Sequence, residues 1–275
     1  MQTVMVTGAA GGIGRELVER AREKGDLVFA VARSLAQLRE MGGDRVLPVV
    51  MDVSDSQSVA AGFAEVDRLL EGRPLDAVIH CAAVAPLGTV EFTSPDEYAR
   101  VLNINTLGAL RIAQGSVNRM RAHGGRLIFV SSLWGRLSGP LVSSYSASKH
   151  AVEAIADALR RETAGSGIKI SVVEPGVVKT KMFTGQTAEV TAKIESLGEG
   201  ERSHYLWLYQ AYLKLFERSA RTAITAEACA DAIMNVLNAK RPRTRYLVGP
   251  DAKLLVRLAD WLPDRGLDEL FRKMI

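Results

Sequence analysis

Short runs rich in β-branched residues alternate with longer helical segments along nearly the whole chain: TVMVT (3–7), LVFAVA (27–32), VLPVVM (46–51), AVIH (77–80), RLIFVS (126–131), IKISVV (168–173) and RYLVG (245–249). Each run is apolar almost without interruption, the pattern of a strand covered on both faces. Parallel strands joined by right-handed helical crossovers build a doubly wound α/β sheet of the Rossmann-like type. No repeat or low-complexity linker breaks the alternation, so one domain over residues 1–275 is expected, with ample material for a core at 47% hydrophobic residues. The alternation pauses at about 181–224, where HYLWLYQAYLKLF mixes leucine and aromatic residues at helical spacing. An excursion of that length reads as a lid or pocket wall.

Composition narrows the function. No apolar run approaches the ~18 residues of a membrane-spanning helix. The start MQTVMVTG lacks a basic and apolar leader pattern, so export is not expected. Cys81 and Cys229 lie far apart without metal-ligand spacing and read as reduced thiols of a cytoplasmic protein. The net charge is +4, and the basic run KRPRTR (240–245) has neither interleaved aromatics nor a second basic stripe, so it reads as a solvated loop and no nucleic-acid partner is expected. A phosphorylated small ligand suits the mild basicity.

The first strand runs into TGAAGGIGRELVERA, a glycine turn opening a helix, with Gly8, Gly12 and Gly14 spaced GxxxGxG. Such a turn lets the backbone approach a pyrophosphate at a helix N-terminus; a bare strand-to-helix bend is the plainer reading. After the second strand, an acidic residue would suit the ribose hydroxyl of NAD and a basic one the 2′-phosphate of NADP. FAVARS offers Ala32 and Arg33 and no carboxylate; Arg33 is a phosphate partner or a surface residue, and Arg15 is a second cation or a solvated one. Asp52 in MDVSD is a partner for an adenine amino group or part of a helix N-cap.

In YSASK (145–149), residues four apart share a helix face, so Lys149 can approach Tyr145. A nearby cation favours phenolate and draws a tyrosine down from about 10, making it a usable acid or base. Ser132, ending the fifth strand, can hydrogen-bond a substrate oxygen at the carboxyl edge of the sheet.

Together these features resemble the short-chain dehydrogenase/reductase family in its classical form: TGAAGGIG its cofactor loop, INTLG its asparagine motif, SSLWG followed by YSASK its catalytic segment, and PGVVKT the loop after its sixth strand, over roughly residues 3–180. The resemblance implies metal-free hydride transfer between a nicotinamide and an alcohol or carbonyl. Tyr145 would exchange the proton, Ser132 orient the oxygen, Lys149 lower the phenol and hold the nicotinamide ribose, and Asn105 anchor a water in a proton relay. The cofactor set would comprise Gly8, Gly12, Ile13, Gly14, Arg33, Asp52, Val53, Tyr145, Lys149, Pro175, Gly176 and Thr180. One departure is HCAA (80–83), where the family has Asn-Asn-Ala-Gly; Ala83 lacks the freedom of glycine and His80 replaces an amide that would knit strands together.

Ala147, Ala151, Ala154 and Ala158 form a small-residue stripe on the helix that in this family commonly builds a dimer, so a homodimer or homotetramer is expected. The tail over 250–275 is amphipathic, with Leu254, Leu255, Leu258, Trp261 and Leu262 as its apolar residues, and reads as a docked helix, a peripheral membrane contact or a lid. The expectation is an NADP(H)-preferring oxidoreductase, with NAD(H) admitted, acting on a bulky apolar alcohol or carbonyl resembling a steroid, retinoid or lipid. A cofactor-sensing binding protein without turnover is the rival reading.

Overall fold

The computed structural model describes residues 1–39, 41 and 43–275. Its elements run β1 (Thr3–Thr7), α1 (Gly12–Glu23), β2 (Leu27–Ala32), α2 (Leu35–Leu38), β3 (Val46–Val50), α3 (Ser56–Leu70), β4 (Ala77–His80) and α4 (Pro95–Leu102). A π-helical turn (Asn103–Leu107) leads into α5 (Gly108–Met120), then β5 (Gly125–Val130), a 3₁₀ turn (Leu133–Gly135), α6 (Ser143–Glu162) and β6 (Ile168–Pro175). There follow β7 (Val178–Lys179), α7 (Lys181–Ser196), α8 (Glu199–Thr222), β8 (Ile224–Thr225), α9 (Ala226–Asn238), β9 (Arg245–Val248), α10 (Pro250–Trp261) and α11 (Asp264–Met274).

Among the described residues, seven strands form one parallel sheet in the order β3-β2-β1-β4-β5-β6-β9. The order reverses at β1, which pairs β2 on one side (Val6 with Ala30) and β4 on the other (Val6 with Ile79). Loops leaving β1 and β4 therefore diverge and open a crevice at the carboxyl edge.

Alternation along the strands divides the core in two. Met5, Phe29, Val31, Val78 and Phe129 pack with residues of α3, α5 and α6, while Val4, Val6, Val28, Ala30 and Ile79 pack with α1 and α9. The unbroken apolar runs of the interior strands are thus buried on both faces, whereas the edge strands β3 and β9 are partly exposed.

The excursion is a pair of helices, α7 and α8, held at its base by a two-stranded parallel clasp in which β7 pairs β8, Val178 with Ile224 and Lys179 with Thr225. Leu208, Tyr209, Tyr212 and Phe216 turn inward onto Val190, Leu197, Leu87, Leu141 and Val142, forming a separate apolar cluster. Most of its large apolar side chains are used in this cluster, which reaches Leu141 and Val142, whereas Trp207 is 61% exposed.

The tail begins as a docked helix, one of its expected readings, but with a different face inward. α10 docks through Ala252 and Val256 against Leu133 and Leu137, with Leu255 and Ala259 half-buried beside them. Leu254 and Trp261 are 60% and 87% exposed. Of the bulky residues, Leu255 joins this contact and Leu254, Trp261 and Leu262 lie outside it. No described helix is long and apolar enough to cross a membrane.

Candidate active site

Three loops meet at the carboxyl edge, and glycines let them. Gly8 lies at φ 67°, a left-handed conformation, and a side chain there would come within 2.9 Å of the Ala82 amide in the loop after β4. A side chain at Gly14 would overlap the Gly8 carbonyl, and one at Gly12 would press on Thr180 in the loop after β6. Gly11 starts α1 without a side-chain cap, and no acidic residue stands in the first turn. That helix end keeps its positive dipole and its N–H groups for an anion. Ile13 packs half-buried against the α1–α9 side of the core.

At the β2–β3 edge of the sheet, Arg33 projects exposed from the end of β2, next to the buried Ala32. Asp52, past β3, accepts at Oδ1 from the Ser54 amide (2.9 Å) and hydroxyl (2.6 Å). The Ser54 hydroxyl chiefly holds its carboxyl below the usual range, with help from the Arg33 and Arg111 charges. Val53 is buried in the core, and its carbonyl accepts from Arg111 at 3.1 Å.

In the HCAA segment His80 is a buried, hydrogen-bonded residue that takes over the strand-joining part of the family's amide. His80 Nδ1 lies 2.8 Å from the Thr7 hydroxyl, so the imidazole does knit β1 to β4, and Thr7 Oγ1 also accepts from the Cys81 (3.2 Å) and Ala82 (3.4 Å) amides. Ala83 is absent from the residues at positive φ, so it adopts its place without the freedom of glycine. Burial, with the Lys149 charge nearby, pushes His80 down to about 3 and keeps it neutral.

Ser132, Tyr145 and Lys149 converge. Ser132 is buried at the start of the 3₁₀ turn, accepts from the Trp134 amide (3.2 Å) and faces the Pro175 carbonyl (3.5 Å). Tyr145 lies in the first turn of α6. Burial pushes its phenol up to about 12, partly offset by a hydrogen bond with Ser132. Lys149 is buried, donates to the Val130 carbonyl at 2.8 Å and lies 5.6 Å from the centre of the Tyr145 ring. Four-residue spacing thus brings the ammonium to the ring face, while its bond to β5 draws it aside from the hydroxyl. The expected lowering of the phenol is therefore absent from this geometry, and desolvation lowers Lys149 itself to about 8.

Asn105, in the π-helical turn, donates from Nδ2 to the Val84 carbonyl (2.8 Å) and Ser148 hydroxyl (2.9 Å) and accepts the Val84 amide at Oδ1 (2.8 Å). Its side chain clamps the strand extension after β4 to α6, a service that the INTLG motif alone does not reveal. Pro175 ends β6, Gly176 follows, and Thr180 caps α7, accepting the Phe183 amide at 3.4 Å.

Two features near these loops escape sequence reading. Glu174, fully buried on β6, lies at ion-pair distance from Arg136 (3.5 Å) and Arg245 (3.4 Å); Arg245 also meets Glu153 (3.0 Å) and Asp157 (3.2 Å). Burial and then the Glu153 charge push the Glu174 carboxyl up to about 7 against the pull of both arginines. The second feature is Asp251 of α10, whose Oδ2 accepts the Val177 amide at 2.6 Å.

Comparison with known proteins agrees with this arrangement. Residues 2–191 match the family model described as short chain dehydrogenase. The chain is similar to the NADPH-dependent 3-dehydrocapnine reductase of Ornithobacterium rhinotracheale, 29% identical over 99% of this chain and 97% of that protein. It is also similar to Retinol dehydrogenase 5 of Homo sapiens, 30% identical over 96% of this chain and 86% of the relative. A short chain dehydrogenase from Burkholderia cenocepacia J2315, solved in complex with NADP, shares the fold at a TM-score of 0.75 and 22% identity, covering 100% of this chain and 99% of that one. With the glycine turn at the switch point of the sheet and a serine, a tyrosine and a lysine gathered beside it, the chain belongs to the short-chain dehydrogenase/reductase family, as an NAD(P)-dependent oxidoreductase of alcohol and carbonyl groups.

Proposed function

We propose that the protein is an NADP(H)-preferring reductase of a bulky, apolar ketone or aldehyde, acting as one unit over residues 1–275 with Tyr145 as general acid. The observation that carries this reading is the gathering of the buried Ser132 and Lys149 with the half-buried Tyr145 at the carboxyl edge, beside a glycine turn whose helix end is uncapped. The residues present fit a dinucleotide: side chains at Gly8 and Gly14 would fill the cradle, and the free helix end suits a pyrophosphate.

When bound, the nicotinamide supplies or takes up the hydride. Gly12, Ile13 and Gly14 would hold the pyrophosphate, Arg33 the 2′-phosphate, Asp52 and Val53 the adenine, and Pro175, Gly176 and Thr180 the carboxamide. Ser132 orients the carbonyl oxygen, which receives the proton of Tyr145; a phenol pushed up to about 12 stays protonated at neutral pH and suits the reductive direction. Lys149, bonded to the Val130 carbonyl beside the Tyr145 ring, would bind the ribose. Asn105 fixes the loop after β4 and the start of α6, the frame for a water that returns the proton.

The preference for an apolar substrate is supported by the cluster of α7 and α8 against Leu141 and Val142, three residues before Tyr145, and by the half-buried Trp134, Phe183, Leu206 and Leu213 at its margin. The exposed Ala147, Ala154 and Ala158 on α6 support a homodimer or homotetramer, and the free Cys81 and Cys229 a cytoplasmic setting.

The test is NADPH oxidation over a homologous series of ketones, repeated with NADH. Turnover should be faster with NADPH, and kcat/KM should rise along the series by up to ~0.8 kcal/mol per buried methylene. Cofactor binding without turnover of any ketone would favour a silent sensor; a steady loss with substrate size would reject the apolar pocket.

A further inference from the structure

The loop after β6 is held by a residue far along the chain. The Gly176 amide donates to the Val248 carbonyl of β9 at 2.9 Å, and the next amide, of Val177, donates to Asp251 Oδ2 at 2.6 Å. Asp251 lies in the first turn of α10, directly after Pro250 and after Gly249, which is at φ 102°. Only glycine takes that conformation without strain, and it turns α10 back over the loop.

The carboxylate sits in a socket made by two missing side chains. A Cβ on Gly176 would overlap the Asp251 carboxylate, and one on Gly249 would come within 2.7 Å of its Oδ1. Oδ1 is buried with no hydrogen-bond partner, so the socket keeps the group through Oδ2 and packing alone. A short side chain at the start of a helix is well placed to accept from a neighbouring main-chain amide, and the first turn of α10 holds this one close to the loop. The clamp acts on residues 176 and 177, and β7 begins at Val178, so the path to Thr180 is pinned on one side by Asp251 and on the other by the β7–β8 clasp.

We propose that Asp251 is a positioning residue for the nicotinamide end of the cofactor site, an inference that rests on the oxidoreductase reading above. It touches neither the reacting groups nor the glycine turn; it sets the shape of the 175–180 loop from outside. Removing it should damage binding of the nicotinamide half and spare the adenine half, which the loops after β1 and β2 hold.

The experiment titrates wild type, Asp251→Ala, Asp251→Asn and Gly176→Ala with NADPH and, separately, with 2′-phospho-ADP-ribose, which lacks the nicotinamide. Hydrogen exchange of the peptide covering 175–180 is followed in the cofactor-free proteins. Asp251→Ala and Gly176→Ala should weaken NADPH by about tenfold, the loss of one hydrogen bond, with fragment affinity unchanged. Asp251→Asn retains an acceptor for the Val177 amide and should rescue both NADPH affinity and slow exchange. The proposal is overturned if Asp251→Ala leaves NADPH affinity as in wild type, or weakens NADPH and the fragment equally. If wild type fails to bind NADPH, the oxidoreductase reading falls with it, whereas faster exchange in Asp251→Ala alone still identifies the clamp.

Discussion

The carboxyl edge of the sheet and the α7–α8 excursion differ in what chiefly holds them. The loops after β1, β4 and β6 are held by main-chain bonds, short polar clamps such as His80 to Thr7 and Asn105 to Val84, and glycines that leave room for close approach. The excursion is held mainly by apolar side chains packed on one another, with Phe216 between Phe183 (5.0 Å) and Tyr212 (4.9 Å), and by the buried carboxylate of Glu201, which accepts from Tyr209 (2.7 Å) and Thr89 (3.2 Å). Hydrogen-bonded loops define atom positions, whereas an apolar cluster defines a volume and tolerates exchange of its members. Chemistry common to a family belongs on the first kind of support, and substrate choice on the second.

The sharpest separation comes from Tyr145→Phe. Loss of general acid assistance should lower kcat by ~10²–10⁴-fold with NADPH affinity kept. Single-turnover kinetics beside a cofactor titration checks this, and retention of more than about a tenth of kcat would remove Tyr145 from the acid role. Phe216→Ala attacks the other region. A cavity there should cost about 3 kcal/mol in urea unfolding while NADPH titration stays unchanged; a matching loss of cofactor affinity would show that the two supports are one.

A smaller effect belongs to the β2–β3 edge. Ala32→Asp with Arg33→Ala should weaken NADPH by one to two orders of magnitude, from a lost charge-assisted bond of about 1.5–3 kcal/mol, and favour NADH. Titration at fixed ionic strength decides it, and wild-type affinity equal for NADH and NADPH would defeat it.

The smallest effect tests the seam between β6, β9 and α6. The Glu174 carboxyl is raised from 4.5 to about 7 in the fold, so its contribution to stability is fully present below about 4.5 and lost as pH rises through about 7. Glu174→Gln should flatten that decline, read as the urea midpoint against pH.

Much of this was legible in the sequence because it is local. The seven apolar runs became the seven strands of the main sheet, and TGAAGGIG and YSASK fell on the turn into α1 and the first turns of α6. What stayed hidden depends on contacts between distant segments. Spacing brought Lys149 near Tyr145, but only the position of β5 shows its amine bonded to Val130, and with that the fate of the phenol. The Glu174 group joins residues 136, 153, 174 and 245, and Asp251 meets Val177 from 74 positions away, because β9 lies beside β6. In the tail, periodicity marked leucines and a tryptophan, yet the docking face is built on Ala252 and Val256, with Leu255 beside them.

The β7–β8 clasp has a consequence for how such a chain changes over time. It joins residues 178–179 to 224–225, so everything between them is a loop whose ends are already fastened together. The entropy of closing a flexible loop grows only logarithmically, about 0.6 kcal/mol for each doubling of length. Lengthening, shortening or replacing the segment between those fasteners therefore changes the thermodynamics of the sheet little, provided the new segment buries its own apolar surface. The clasp makes α7 and α8 an exchangeable cassette, and a graft cut at its two strands is the engineering experiment that this fold invites.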